Sequence, residues 1–133
     1  MSQLFWFELP DAPTMSTYLC MIEEIPDGGA KMISFDRIND ESTRADKPPF
    51  SLLMLRSGKD VVAYVNRCAH FGVPLSKLPE HLIINPHHSI SCNVHYARYR
   101  WHDGYCEWGD CEGESLISIP LEIGDDGRIT IAA

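Results

Sequence analysis

What most limits the fold of this chain is how often its apolar runs are cut. Stretches of roughly four to eight residues with β-branched and aromatic side chains are punctuated by Gly, Pro and Asp. No segment keeps a helical period, and prolines interrupt the best candidates. The pattern predicts an all-β chain of short antiparallel strands. Strands are expected at residues 4–8, 18–22 and 32–38, with turn chemistry at Ile25-Pro26-Asp27-Gly28-Gly29 and an exposed loop over 39–49. Three hairpins are expected: 51–56 with 61–66 across Ser57-Gly58-Lys59-Asp60, 97–101 with 105–108 across His102-Asp103-Gly104, and 116–123 with 128–132 across Asp125-Asp126-Gly127. Between the first two the chain reads as irregular, through Pro74, Pro79 and Pro86.

The length of 133 residues favours one compact domain. A net charge of −8 argues against nucleic acid or an anionic membrane as the main partner. No apolar run approaches the roughly 20 residues of a membrane helix, and the start, Met1-Ser2-Gln3-Leu4-Phe5-Trp6-Phe7-Glu8, lacks the basic opening and long apolar stretch of a secretory signal. The expected location is therefore the cytoplasm. Five cysteines is an odd number, so a complete disulfide framework within the chain is impossible, and the cysteines read first as metal ligands or buried thiols.

Two pairs of metal-ligating residues stand out. Cys68-Ala69-His70 follows the expected strand ending at residue 66, and Cys92-Asn93-Val94-His95 precedes the one starting at 97. Each pair sits at a strand end, where neighbouring loops can converge. Two thiolates and two imidazoles suit either a tetrahedral zinc site or a [2Fe–2S] cluster with two Cys on one iron and two His on the other. A Cys-x-His step is less typical of a zinc knuckle, and one Cys plus one His on each loop lets each loop serve both irons.

Cys68-x-His70-x-Gly72 and Cys92-x-x-His95 resemble the two cluster-binding loops of the Rieske iron–sulfur family. The likeness extends to Glu24-Ile25-Pro26-Asp27-Gly28, to Val61-Val62-Ala63-Tyr64-Val65-Asn66-Arg67 before the first loop, and to the hairpins after the second, covering about residues 18–132. It implies a fold of three small antiparallel sheets with a two-loop tip over residues 18–133, leaving 1–17 as an N-terminal extension. It also implies one [2Fe–2S] cluster per chain, with Cys68 and Cys92 on the inner iron and His70 and His95 on the outer. The implied role is a non-catalytic one-electron carrier, the ferredoxin of a multicomponent aromatic-ring oxygenase system, with a reductase and a terminal oxygenase as partners. Rival readings are an accessory small subunit such as that of a nitrite reductase, or a zinc-binding structural module. An oxygenase subunit would need a large further domain.

Departures from the family pattern are a longer segment between the loops, Tyr96 where Gly is usual, and Gly109-Asp110-Cys111-Glu112-Gly113 in place of a proline-rich third loop. High-potential members carry a disulfide between the loops and a serine donating to a sulfide. The matching positions here are Val73, Val94 and Ala97, which implies a low potential. Tyr99 stands where those members place a tyrosine that donates to a cysteine sulfur.

His81, His87, His88 and His102 read as surface residues, and Cys20 as a buried strand residue. Cys106 and Cys111 are spaced for a loop disulfide, with thiols the expectation in a reducing compartment. Trp101, Tyr105 and Trp108 read as core or cluster shielding. The acidic group Glu107, Asp110, Glu112 and Glu114 reads as solvated surface.

Overall fold

A computed structural model describes residues 6–8, 13–35, 50–67, 83–91, 97–109 and 114–132. Among the described residues there are eleven short strands and two 3₁₀ turns. None of the described helices is long and apolar enough to cross a membrane.

The strands form three antiparallel sheets. β1 (Tyr18–Met21), β11 (Arg128–Ile131) and β10 (Leu121–Ile123) form the first, in that order. The second runs β2 (Ala30–Phe35), β3 (Phe50–Ser57), β4 (Asp60–Val65), β9 (Ser118–Ile119). The third runs β5 (Ile83–Asn85), β6 (Ser89–Ser91), β7 (Arg98–Arg100), β8 (Cys106–Trp108).

The second sheet is the middle layer and buries both faces. Leu52, Met54, Ala63 and Val65 point into one cluster with Cys20, Ile25, Ile129 and Ile131 from the first sheet and its turns. Leu53, Leu55 and Tyr64 point into another with Ile90, Ala97, Tyr99, Trp101, Cys106 and Leu116 from the third sheet and the segment leading to β9. A strand covered on both sides has no use for polar alternation, hence the unbroken Leu52-Leu53-Met54-Leu55.

The hairpin of β3 and β4 forms where expected and turns in two residues, with Ser57 opposite Asp60. Gly58 takes φ +63°, the sign a II′-type loop needs at its first position. Gly28 at φ +78° likewise sits in the expected turn before β2. Arg56 locks the two turns together: its Nη1 donates to the carbonyls of Ile25 (2.9 Å) and Ile22 (3.2 Å), and its Nε to Gly58 O (2.8 Å).

Four expectations need correction. Within 4–8, Trp6–Glu8 is a 3₁₀ turn and not a strand. Trp6 enters the core while Phe7 stays exposed with its ring edge-on to Trp6. The chain through Pro86 is not wholly irregular, because β5 and β6 pair across Pro86-His87-His88. The third hairpin is shorter than expected: Pro120, with no N–H to donate, splits 116–123 so that β9 joins the middle sheet and only β10 pairs with β11. Trp108 is 56% exposed, and so is not core. A register shift between Arg98 and Tyr99 makes Glu107 an extra residue in β8, and Glu107 and Trp108 both face solvent. Residues 4–5, 36–38 and the loop 39–49 lie outside the described residues.

Candidate metal centre

Cys68, His70, Cys92 and His95 lie outside the described residues, as do His81, Asp110, Cys111 and Glu112; the structure fixes the stems that carry the four ligand candidates. At the first stem, Val65 N donates to Ile117 O (2.8 Å), Asn66 N to Ser51 O (2.8 Å) and Arg67 N to Val65 O (2.8 Å). The Asn66 side chain, itself buried, reaches Ser51 Oγ at 3.3 Å. The backbone donors of residues 65–67, just before Cys68, are thus all committed to the middle sheet and the segment leading to β9.

The second stem is a hairpin of the third sheet. Ser91 pairs with Arg98 and Ile90 with Tyr99, which assigns residues 92–97 to the connection between β6 and β7. Ala97 is buried at its base. A Cβ on Gly109 (φ +110°) would lie 2.9 Å from Ala97 Cα, so the segment after β8 starts in backbone contact with that base. The two stems share one interior, since Tyr64 of β4 lies in the same cluster as Ile90, Ala97 and Tyr99. Two cysteines and two histidines leaving one core from two sheets fit a centre that needs two thiolates and two imidazoles.

No group of three or more His, Cys, Asp or Glu comes together elsewhere among the described residues. His87, His88 and His102 are exposed. His87 Nδ1 hydrogen-bonds Ser57 Oγ at 2.7 Å, and its ring tilts towards that of Trp101 at 6.0 Å between centroids. Cys20 is buried, and burial pushes its thiol up from the ordinary value. Cys106 is also buried, with Sγ 3.3 Å from Trp108 O.

The charged groups near β7 and β8 are paired. Arg98 Nε donates to Glu107 Oε2 at 2.8 Å, so Glu107 is not a bare acidic surface charge. Arg100 grips Asp103 with Nε and Nη2, and Tyr105 N donates to Asp103 Oδ1 at 3.0 Å. The Arg100 guanidinium, foremost among the causes, holds the Asp103 carboxyl below the usual carboxylate range. Trp101 is buried as expected, Tyr99 is buried completely, and Tyr105 is half-buried with Arg100 over its ring.

Two residues carry more of the site's framework than their sequence context suggests. Arg56 reads as the end of a strand, and Tyr64 as one of several apolar strand residues. Tyr64 is buried, and its hydroxyl donates to Trp101 O at 2.8 Å. Burial, with a smaller contribution from Asp103, pushes its phenol well above the ordinary value. The only sequence signal is the glycine opposite: Gly104 (φ +75°) leaves the room that the Tyr64 ring fills, since a Cβ there would lie 2.8 Å from Tyr64 Cε1.

Among curated proteins none matches the chain. Among solved structures, the ferredoxin of carbazole 1,9a-dioxygenase from Nocardioides aromaticivorans IC177 superposes with a TM-score of 0.59 at 18% identity, covering 90% of this chain and 98% of that one. A chain of a complex of reduced oxygenase and oxidized ferredoxin in carbazole 1,9a-dioxygenase matches at 0.64 and 17%, covering 89% and 93%. The terminal oxygenase of carbazole 1,9a-dioxygenase from Novosphingobium sp. KA1 matches at 0.62 and 18%, but there 90% of this chain spans only 31% of the other. At such identities these likenesses speak to the fold, which recurs both in ferredoxins and inside larger oxygenase chains. Residues 16–120 match the family model of the Rieske [2Fe-2S] domain, which decides between the iron–sulfur and zinc readings that the donor set alone left open. The chain belongs to the Rieske [2Fe-2S] domain family.

Proposed function

We propose that Cys68, His70, Cys92 and His95 hold the [2Fe–2S] cluster that family membership implies, the cysteines on one iron and the histidines on the other. On this reading the chain is a one-electron carrier, the ferredoxin of a multicomponent aromatic-ring oxygenase system. It serves between a reductase and a terminal oxygenase in the cytoplasm. The observation that carries it is the convergence of two Cys/His stems on one core within a Rieske domain. The alignment over 98% of a ferredoxin's length supports the carrier role. On this reading residues 18–133 are the domain and 1–17 an extension, of which Trp6 packs into the cluster around Cys20 and Ile129.

Once bound, the cluster supplies reversible one-electron chemistry. The chain's part is to provide the four ligands, to fix their spacing through the stems, and to keep water from beneath the second loop with Ile90, Ala97 and Tyr99. Neutral imidazoles in place of two thiolates remove two negative charges from the centre, which favours accepting an electron.

The test is analytical and then functional. Purified protein should contain equal iron and acid-labile sulfide and show a visible iron–sulfur spectrum; stoichiometric zinc without sulfide would end the reading. Supplied with a reductase and a terminal oxygenase, it should support turnover at a rate that falls with salt. Oxygenation of an organic substrate by the reduced protein and dioxygen, with no other protein added, would make it catalytic and overturn the carrier role.

A further inference from the structure

The two ligand pairs proposed above belong to different sheets. Cys68 and His70 follow β4 of the middle sheet, while Cys92 and His95 lie between β6 and β7 of the third. Their spacing therefore depends on how those two sheets are fixed to each other.

The joint between them has a backbone part and a side-chain part. On the backbone, the segment after residue 113 runs from one sheet to the other. Cys106 N donates to Glu114 O (2.7 Å), Leu116 N to Gly104 O (2.9 Å) and Val65 N to Ile117 O (2.8 Å), before β9 pairs with β4. In side chains, a buried bond that spans the sheets is Tyr64 Oη to Trp101 O, at 2.8 Å. Tyr64 stands four positions before Cys68, and Trp101 directly follows β7, the strand that leaves the second loop. Trp101 N in turn donates to His88 O (2.8 Å), tying the same residue to the turn before β6. A second bond, Ser57 Oγ to His87 Nδ1, crosses the same joint in solvent.

The geometry points to Tyr64 as a positioning residue: its hydroxyl, bonded to the Trp101 carbonyl, holds the two ligand-bearing stems at the separation a shared cluster requires. The inference rests on the four-ligand reading above. Tyr64→Phe keeps the ring and its packing on Gly104 and leaves the Trp101 carbonyl without this donor in a buried place, where water cannot readily replace it. The stems then sample a wider range of separations, and a ligand set spread across both sheets is strained more than either sheet alone.

The experiment measures release of iron from the cluster-loaded protein to a chelator, by loss of visible absorbance, alongside urea unfolding. Tyr64→Phe should speed release about tenfold, the factor a single lost buried hydrogen bond can produce, and broaden the paramagnetic lines of the reduced state. Ile129→Val, a buried change confined to the first sheet and its cluster, is the control for stability alone: it should lower urea stability yet leave iron release and the paramagnetic lines at wild-type values. Ser57→Ala, which cuts the exposed bond and spares the core, should speed release by a smaller factor and keeps the idea testable if Tyr64→Phe folds poorly. Equal release from all three variants and wild type overturns the positioning role, as does release that merely tracks urea stability across them. If wild-type protein holds no iron and sulfide at all, the four-ligand reading itself falls, and this inference with it.

Discussion

Replacing Gly104 by Ala separates backbone strain from crowding, because a second glycine supplies the reference. Gly104 lies at φ +75°, where a side chain costs about 1–2 kcal/mol. Its new Cβ would also meet Tyr64 Cε1 at 2.8 Å, Tyr64 Cδ1 at 3.2 Å and Leu116 Cβ at 3.3 Å. The backbone has little freedom to retreat, since Gly104 N donates to Arg100 O and Gly104 O accepts from Leu116 N, both at 2.9 Å. Overpacking of a filled core adds about 1–3 kcal/mol. Gly58, at φ +63°, has no neighbour within 4 Å of a Cβ, so Gly58→Ala carries the backbone cost alone. The expected losses are thus about 2–5 kcal/mol for Gly104→Ala and about 1–2 kcal/mol for Gly58→Ala. With a urea slope of about 2 kcal/mol/M, the Gly104→Ala midpoint falls by roughly 1–2.5 M and that of Gly58→Ala by no more than about 1 M. Urea titration followed by circular dichroism measures both. Equal shifts for the two variants would refute the argument that the Tyr64 ring occupies the space of a Cβ at Gly104.

Alanine at Cys68, His70, Cys92 or His95 should abolish or cripple cluster assembly, seen as lost visible absorbance, whereas alanine at His87, His88 or His102 should leave the spectrum intact. Arg56→Ala removes three bonds from a charged donor to the carbonyls of Ile22, Ile25 and Gly58 and should cost about 1.5–3 kcal/mol in urea unfolding. Asp103 titrates below its ordinary value in the folded state, so its contribution is complete above the unfolded carboxylate pKa and is lost as pH falls through the lower folded one. Asp103→Asn should therefore be less stable than wild type at neutral pH, with the gap closing only below about pH 4. The midpoint potential should lie near −150 mV and not near +300 mV, given Val73, Val94 and Ala97 at the positions where high-potential relatives hold the disulfide and the serine donor. Voltammetry checks it, and a lower midpoint in Tyr99→Phe would show that this buried hydroxyl bears on the centre.

The sequence made the middle of the molecule legible because its signals there are local. Apolar runs on both sides of Ser57-Gly58-Lys59-Asp60 mark β3 and β4, and Gly104 marks the turn towards β8. β5 and β6 escaped notice for a physical reason. Three-residue strands carry no periodicity, and the turn between them places His87 at φ +66°, a conformation that its residue type does not announce. The run 116–123 misled because apolar continuity across Pro120 hides a change of sheet. The position of Trp108 turned on a single extra residue in β8. At the candidate centre the two Cys/His pairs and their spacing are read from residue identity alone, and they lie outside the described residues. The Tyr64–Trp101 joint was not legible, because it links positions 37 residues apart through a bond that neither residue signals.

The pairing of β1 with β11 sets the order in which this protein can finish folding. Met21 sits opposite Arg128 and Tyr18 opposite Thr130, so an early strand is completed by one made more than a hundred residues later. During synthesis β1 must wait, its edge open and Leu19 and Cys20 without their cover, until residues 128–131 have cleared the ribosome. Loop closure over such a span is slow compared with the neighbouring hairpins. The middle and third sheets, with their mostly short-range pairings, can form first. Shortening the chain at residue 120 would keep the segment that matches the family yet leave β1 with no strand to pair with, a species prone to seek an edge on another molecule.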